Sequence, residues 1–142
     1  MTAATKPRLI ISRELCADLI AQAESEAPNE CCGLLAGPWI SGGPYRIAAQ
    51  FPLVNALASP TEFESAPREL LAAHRTMREK NWEILAVYHS HPETAAIPSR
   101  KDRELHLAES VAMVIVGLKP TPAIRAWWLV AGEPREALIE TG

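Results

Sequence analysis

Apolar positions along this chain follow two different periods. Residues 8–12 are predicted as a short edge strand. Ser12 is placed to cap a helix running to about Ala27, with Leu15, Leu19, Ile20 and Ala23 as its apolar stripe and Pro28-Asn29 as its stop. Residues 31–36 form a continuous apolar run of strand length. Gly37-Pro38 and Ser41-Gly42-Gly43-Pro44 then break the pattern with turns. Residues 45–54 read as a partner strand interrupted at Pro52, and residues 55–60 as loop. Ser65-Ala66-Pro67 is a helix start, after which Leu70, Ala73, His74 and Met77 recur at helical spacing.

The second half is richer in strands. Residues 82–88 are an apolar run that ends in His89, and residues 93–98 read as loop. A helix is predicted over about 99–108. Residues 111–116 are so rich in β-branched side chains that they predict a central strand buried on both faces. Further strands are expected over 124–130 and 135–139. Helices interspersed among strands predict an α/β fold with a mixed sheet flanked by helices.

Composition narrows the class. A chain of 142 residues fits one domain, 1–142, able to bury a core without disulfides. Net charge is −3, and no Lys/Arg stripe is present, so nucleic acid is not an expected partner. No stretch approaches the roughly 20 apolar residues of a membrane span, and residues 1–8 are too polar for a signal peptide. A cytoplasmic protein with no membrane partner is the expectation. Cys16, Cys31 and Cys32 make an odd count with no Cys-x-x-Cys, which excludes a cysteine-built zinc ribbon. They read as reduced, small apolar residues.

The chemistry concentrates in His89-Ser90-His91-Pro92 and Pro98-Ser99-Arg100-Lys101-Asp102. Residues i and i+2 of a strand share a face, so His89 and His91 can present two imidazoles to one point just past the strand's end. A carboxylate from the next helical turn would complete a zinc set with its fourth position open to water. Ser99-x-x-Asp102 also fits a capping box, and a capping Ser would hold the Asp rigidly. A hydrolase needs a base as well. Glu30, just before an apolar run, is one candidate among several glutamates, and spacing alone does not choose it.

Taken together, Asn29-Glu30-Cys31-Cys32-Gly33-Leu34-Leu35-Ala36-Gly37, His89-Ser90-His91-Pro92 and Pro98-Ser99-x-x-Asp102 resemble the JAMM/MPN+ metallopeptidase family, in the family's order and across nearly the whole chain. The resemblance implies a cytidine-deaminase-like α/β/α sandwich with a mixed central sheet. It implies a Zn2+ ion on His89, His91 and Asp102, with Glu30 accepting a proton from the attacking water and returning it to the leaving amine. Ser99 is then expected to hold that water or the developing oxyanion, Ser90 to order the loop and Pro92 to stiffen it. Cys32 departs from the family's usual single Cys before Gly and is expected only to pack.

Only seven residues separate His91 from Ser99, which resembles the small stand-alone bacterial members, as does the segment 55–68. That branch implies hydrolysis after the C-terminal Gly-Gly of a ubiquitin-like sulfur-carrier protein, the tail pairing with a sheet edge. A homodimer is compatible with such a fold, with no residue to mark it. The main rival is a non-enzymatic MPN-type interaction scaffold, which the complete ligand set disfavours. Nucleoside deamination needs His-x-Glu with Pro-Cys-x-x-Cys, and neither is present. Trp127 and Trp128 are expected to pack in the core, and His106 is a candidate partner of a ligand.

Overall fold

In the computed structural model, residues 6–55, 57–60, 67–106 and 108–142 are described. Ser12 accepts a hydrogen bond from the Leu15 N–H through its hydroxyl oxygen and so caps α1 (Arg13–Glu26). The other helices are α2 (Pro67–Lys80) and α3 (Arg100–Leu105). Ser65 and Ala66, expected to begin α2, lie outside the described residues. α3 is shorter than the sequence predicts, because His106 turns to extended backbone and caps its end.

The main sheet has six strands: β2 (Cys32–Gly37), β4 (Ala49–Leu53), β5 (Glu83–His91), β6 (Ala112–Gly117), β7 (Ala123–Val130) and β8 (Glu133–Ala137), in the order β4-β2-β5-β6-β7-β8. Only β5 and β6 pair in parallel; their neighbours are antiparallel, so the sheet is mixed. β6 is buried throughout, as its β-branched run predicts. Alternation along β2 divides the core. Leu35 packs on the α1 side with Leu19, Ala23, Tyr88 and Val114, whereas Cys32, Leu34 and Ala36 pack on the α2 side with Ala73 and Met77. Helices on both faces of a mixed sheet make the α/β/α sandwich.

Two strand assignments differ from the sequence reading. Residues 45–54 do not form one strand: β3 (Tyr45–Arg46) joins a second sheet, and the break falls at Ile47-Ala48. Pro52 stays inside β4, because β4 is an edge strand and a missing N–H there breaks no ladder. The expected edge strand at 8–12 is instead the middle of the second sheet. β1 (Leu9–Ile10) lies between β3 and β9 (Ile139–Glu140), with Tyr45 N–H bonded to Arg8 O on one side and Leu9 N–H bonded to Leu138 O on the other. Leu9 and Ile11 are fully buried in consequence.

One close approach ties the sheet to the site. Tyr88 directs its hydroxyl to Gln22 Oε1, with Gln50 Nε2 donating to both, and its ring end occupies the space a Cβ on Gly33 would take. Glycine in β2 therefore lets β5 seat beside it one residue before His89.

Candidate metal centre

His89 and His91 lie within β5 rather than past its end, because the β5–β6 ladder continues to His91 paired with Gly117. Their i, i+2 spacing puts both rings on one face. Pro92, buried and without an N–H, ends the strand. On the facing element, Ser99 caps α3. Its hydroxyl accepts from the Asp102 N–H at 3.1 Å, and its own N–H donates to Asp102 Oδ2 at 3.0 Å. The cap holds the Asp102 carboxylate against both imidazoles. Asp102 Oδ1 is 3.0 Å from His89 Nε2 and Oδ2 is 3.0 Å from His91 Nε2, while the two Nε2 atoms are 3.3 Å apart. The capping box and the candidate ligand arrangement are the same structure.

The loop after β5 orients the second imidazole. His91 Nδ1 donates to Ala95 O at 2.9 Å, which assigns its proton to Nδ1 and leaves the Nε2 lone pair facing the cluster. Trp127 Nε1 donates to Ala96 O at 3.0 Å, and a Cβ on Gly117 would fall 2.5 Å from Ala96 N. Trp127 and Gly117 thus seat the Ala95 carbonyl, a role that the sequence reading of Trp127 as packing missed. Trp127→Phe is expected to keep the fold and weaken metal binding about tenfold, the low end for loss of such support, as read by competition with a chromogenic chelator. Unchanged affinity would limit Trp127 to packing.

Glu30 directly precedes Cys31 and β2 and is 5% exposed. Its backbone is held by Asn55 and Ser59: Glu30 N–H donates to Ser59 O at 2.8 Å, and Asn55 Nδ2 donates to Glu30 O at 3.1 Å. Asn55 is a second positioning residue that spacing did not reveal. Ser90 sits in β5 rather than in a loop, and its hydroxyl accepts from the Cys31 N–H at 2.8 Å, fastening the Glu30 end of β2 to the histidine strand. The Glu30 side chain has a buried Oε1 with no hydrogen-bond partner among the described residues. Burial raises its pKa to about 7, and the charges of His91 and Asp102 are close enough to modulate it in opposite directions.

The other titratable groups respond to the same environment. Burial lowers the pKa of His89, consistent with a neutral imidazole. For His91 burial also acts downward, but hydrogen bonds to Asp102 and Ala95 outweigh it and the pKa is raised. Burial opposes ionisation of Asp102, yet both histidines hold its carboxyl far below the usual carboxylate range. Cys31 and Cys32 are buried thiols pushed up to about 11 and about 12 by burial, so neither is a thiolate at neutral pH.

The donor set tests directly for a metal. Two ligands at about 2.0–2.1 Å from a tetrahedral zinc ion lie about 3.3 Å apart; the two Nε2 atoms here are 3.3 Å apart, and each has a different Asp102 oxygen 3.0 Å away, Oδ1 at His89 and Oδ2 at His91. Two neutral-type nitrogens and one carboxylate oxygen fit zinc chemically. Among the described residues this cluster has three members, His89, His91 and Asp102, and three protein ligands characterise an open rather than a closed zinc site.

These features define an α/β protein with a candidate metal centre of three described residues beside a buried carboxyl group. A family model described as "Prokaryotic homologs of the JAB domain" matches residues 12–130, and the chain belongs to that family. It is 35% identical over 111 residues to a CysO-cysteine peptidase of Mycobacterium tuberculosis, covering 78% of this chain and 74% of that one. A probable TtuB-protein conjugate cleaving protease of Thermus thermophilus is 33% identical over 126 residues, covering 88% of this chain and 78% of its own. The solution structure of protein DSY2949 from Desulfitobacterium hafniense superposes with a TM-score of 0.84 at 32% identity, covering 94% of this chain and 92% of that one. The JAB assignment and this superposition agree with the α/β/α sandwich.

Proposed function

We propose that the protein is a zinc-dependent peptidase of the JAMM type that hydrolyses the bond after the C-terminal Gly-Gly of a ubiquitin-like or sulfur-carrier protein. The observation that carries this reading is the convergence of His89, His91 and Asp102 at zinc-ligand spacing. The relatives named as a peptidase and as a conjugate-cleaving protease support the hydrolytic class.

In this reading His89, His91 and Asp102 hold the metal. Zinc, when bound there, supplies Lewis acidity that brings a water's pKa toward neutrality and polarises a carbonyl. Glu30, with a carboxyl poised near 7, takes a proton from the attacking water and delivers it to the leaving amine. Ser99 accepts from the Asp102 N–H, which leaves its hydroxyl hydrogen to donate to a developing oxyanion. Ser90 and Pro92 position the strands and the turn around the reacting groups. A glycine tail suits a narrow site because it brings no side chain to clash. Among the described residues no helix is long and apolar enough to cross a membrane; we place the protein in the cytoplasm, with its carrier as partner.

A carrier ending in Gly-Gly, fused to a short peptide, is expected to be cut after the second glycine by zinc-loaded protein, as read by intact-mass spectrometry. Uncut fusion after prolonged incubation with a folded, zinc-loaded sample would reject the assignment. A chain that takes up no zinc on supplementation would favour the scaffold reading instead.

A further inference from the structure

Beside the histidines, between β5, β6 and the C-terminal end of α3, is a cavity of about 450 Å³ lined by Ile84, Val87, Val111, Met113, Leu105 and Ala108, with His89, Asp102 and His106 at its polar side. Its volume lies at the small end of the roughly 300–1,000 Å³ of ligand sites. The walls are aliphatic. His106 donates Nε2 to Val111 O at 2.7 Å, and Asp102 is engaged by both imidazoles. Among the described lining residues there is no Lys, Arg or Glu, and the one carboxylate, Asp102, is already held by the two imidazoles. His89 and Asp102 belong to both the cavity and the ligand cluster, so the cavity is continuous with the candidate metal site.

From this continuity we infer a specificity pocket for the leaving group: the cavity takes the side chain of the residue immediately after the scissile bond and selects a compact aliphatic one. This rests on the glycine-tail reading of the site. Two glycines on the acyl side have no side chain to place, so the first side chain adjacent to the metal ligands belongs to the leaving residue. Sheet order supports this division. Glu30 enters with β2 on one side of β5, and the cavity lies with β6 and α3 on the other.

The test is a panel of carrier-Gly-Gly-X-peptide fusions with X as Leu, Val, Gly, Asp or Lys, each assayed for kcat/KM with zinc-loaded protein. Leu and Val are expected to exceed Gly by about tenfold or more, the range that a few methylenes are worth in an apolar pocket, and Asp and Lys to fall below Gly. Ala108→Phe, which fills an exposed wall of the cavity, is expected to collapse the Leu-to-Gly ratio toward one; Val111→Lys is expected to shift preference toward Asp. Independently, a leucyl dipeptide should move the Val87, Val111 and Met113 methyl resonances, and an aspartyl dipeptide should not. Equal rates across the panel with no methyl shifts would overturn the pocket and leave the glycine-tail reading standing. Methyl shifts without cleavage of any fusion would show that the cavity binds aliphatic side chains, but would reject the glycine-tail reading and with it the leaving-group role.

Discussion

Glu30→Gln is expected to lower kcat by about 10²–10⁴-fold, the usual contribution of a positioned general acid–base, while zinc content stays at one per chain. The substitution keeps the shape of a side chain that is 5% exposed and removes only its ability to carry a proton. A second consequence has the opposite sign for stability. The folded pKa of Glu30 is about 7, against an ordinary value of 4.5, because burial penalises the carboxylate. A carboxyl with a raised folded pKa contributes stability that is fully present below the unfolded value and is lost as pH rises through about 7. At pH 8 the native carboxylate therefore destabilises the metal-free protein. Gln carries no such burden. Chelated Glu30→Gln should outlast the parent in denaturant at pH 8 and match it at pH 4, whereas the zinc-loaded variant should be inactive at both. Such a trade of stability for function is expected where an active site holds a buried ionisable group. Retained turnover would remove Glu30 from the mechanism; lost turnover together with lost zinc would make it a support of the metal centre instead.

How much of this arrangement was legible beforehand depends on the range of the contacts. His89 and His91 share a face because of strand period alone, and Asp102 is fixed by a cap three residues away, so the candidate cluster could be read from short stretches. Glu30 is different. Its position before an apolar run makes it a candidate, and the resemblance to a family chooses it among the glutamates. Its surroundings depend on Asn55, 25 residues onward, and on the Ser90 hydroxyl, which reaches the Cys31 N–H across 59 residues. Trp127 acts on Ala96 from 31 residues away, so its indole N–H looked like ordinary core chemistry in the sequence. The fold shows the same division. β6 and α1 are where period and capping predict them, because their burial is decided by local pattern. β1 was misplaced at an edge because the pairing of Leu9 with Tyr45 and Ile139 leaves no mark in residues 8–12.

Asp102→Asn is expected to abolish metal binding without unfolding the chain, and so separates the two things Asp102 does. Asn keeps a side-chain oxygen that can accept from the Ser99 N–H, and Ser99 still accepts from the backbone N–H of position 102. The helix start should therefore survive, with a melting temperature within a few degrees of the metal-free parent. What Asn lacks is the charge that holds both imidazoles, each 3.0 Å from the carboxylate. Two histidines alone bind zinc far more weakly than two histidines with an anion, because the carboxylate both neutralises the ion and completes the set of three. After dialysis, zinc should fall from one per chain to below about a tenth, and turnover should fall to the background of the buffer. Ser99→Ala is the complement: it removes the hydroxyl of the cap at a cost of about 0.5–2 kcal/mol, and should retain zinc while losing about 10²–10³ in rate if the hydroxyl also serves the oxyanion. Stoichiometric zinc in Asp102→Asn would show that the carboxylate is a cap and nothing more. The ligand assignment, and with it the hydrolytic reading, would then fail at its most local and most easily measured point.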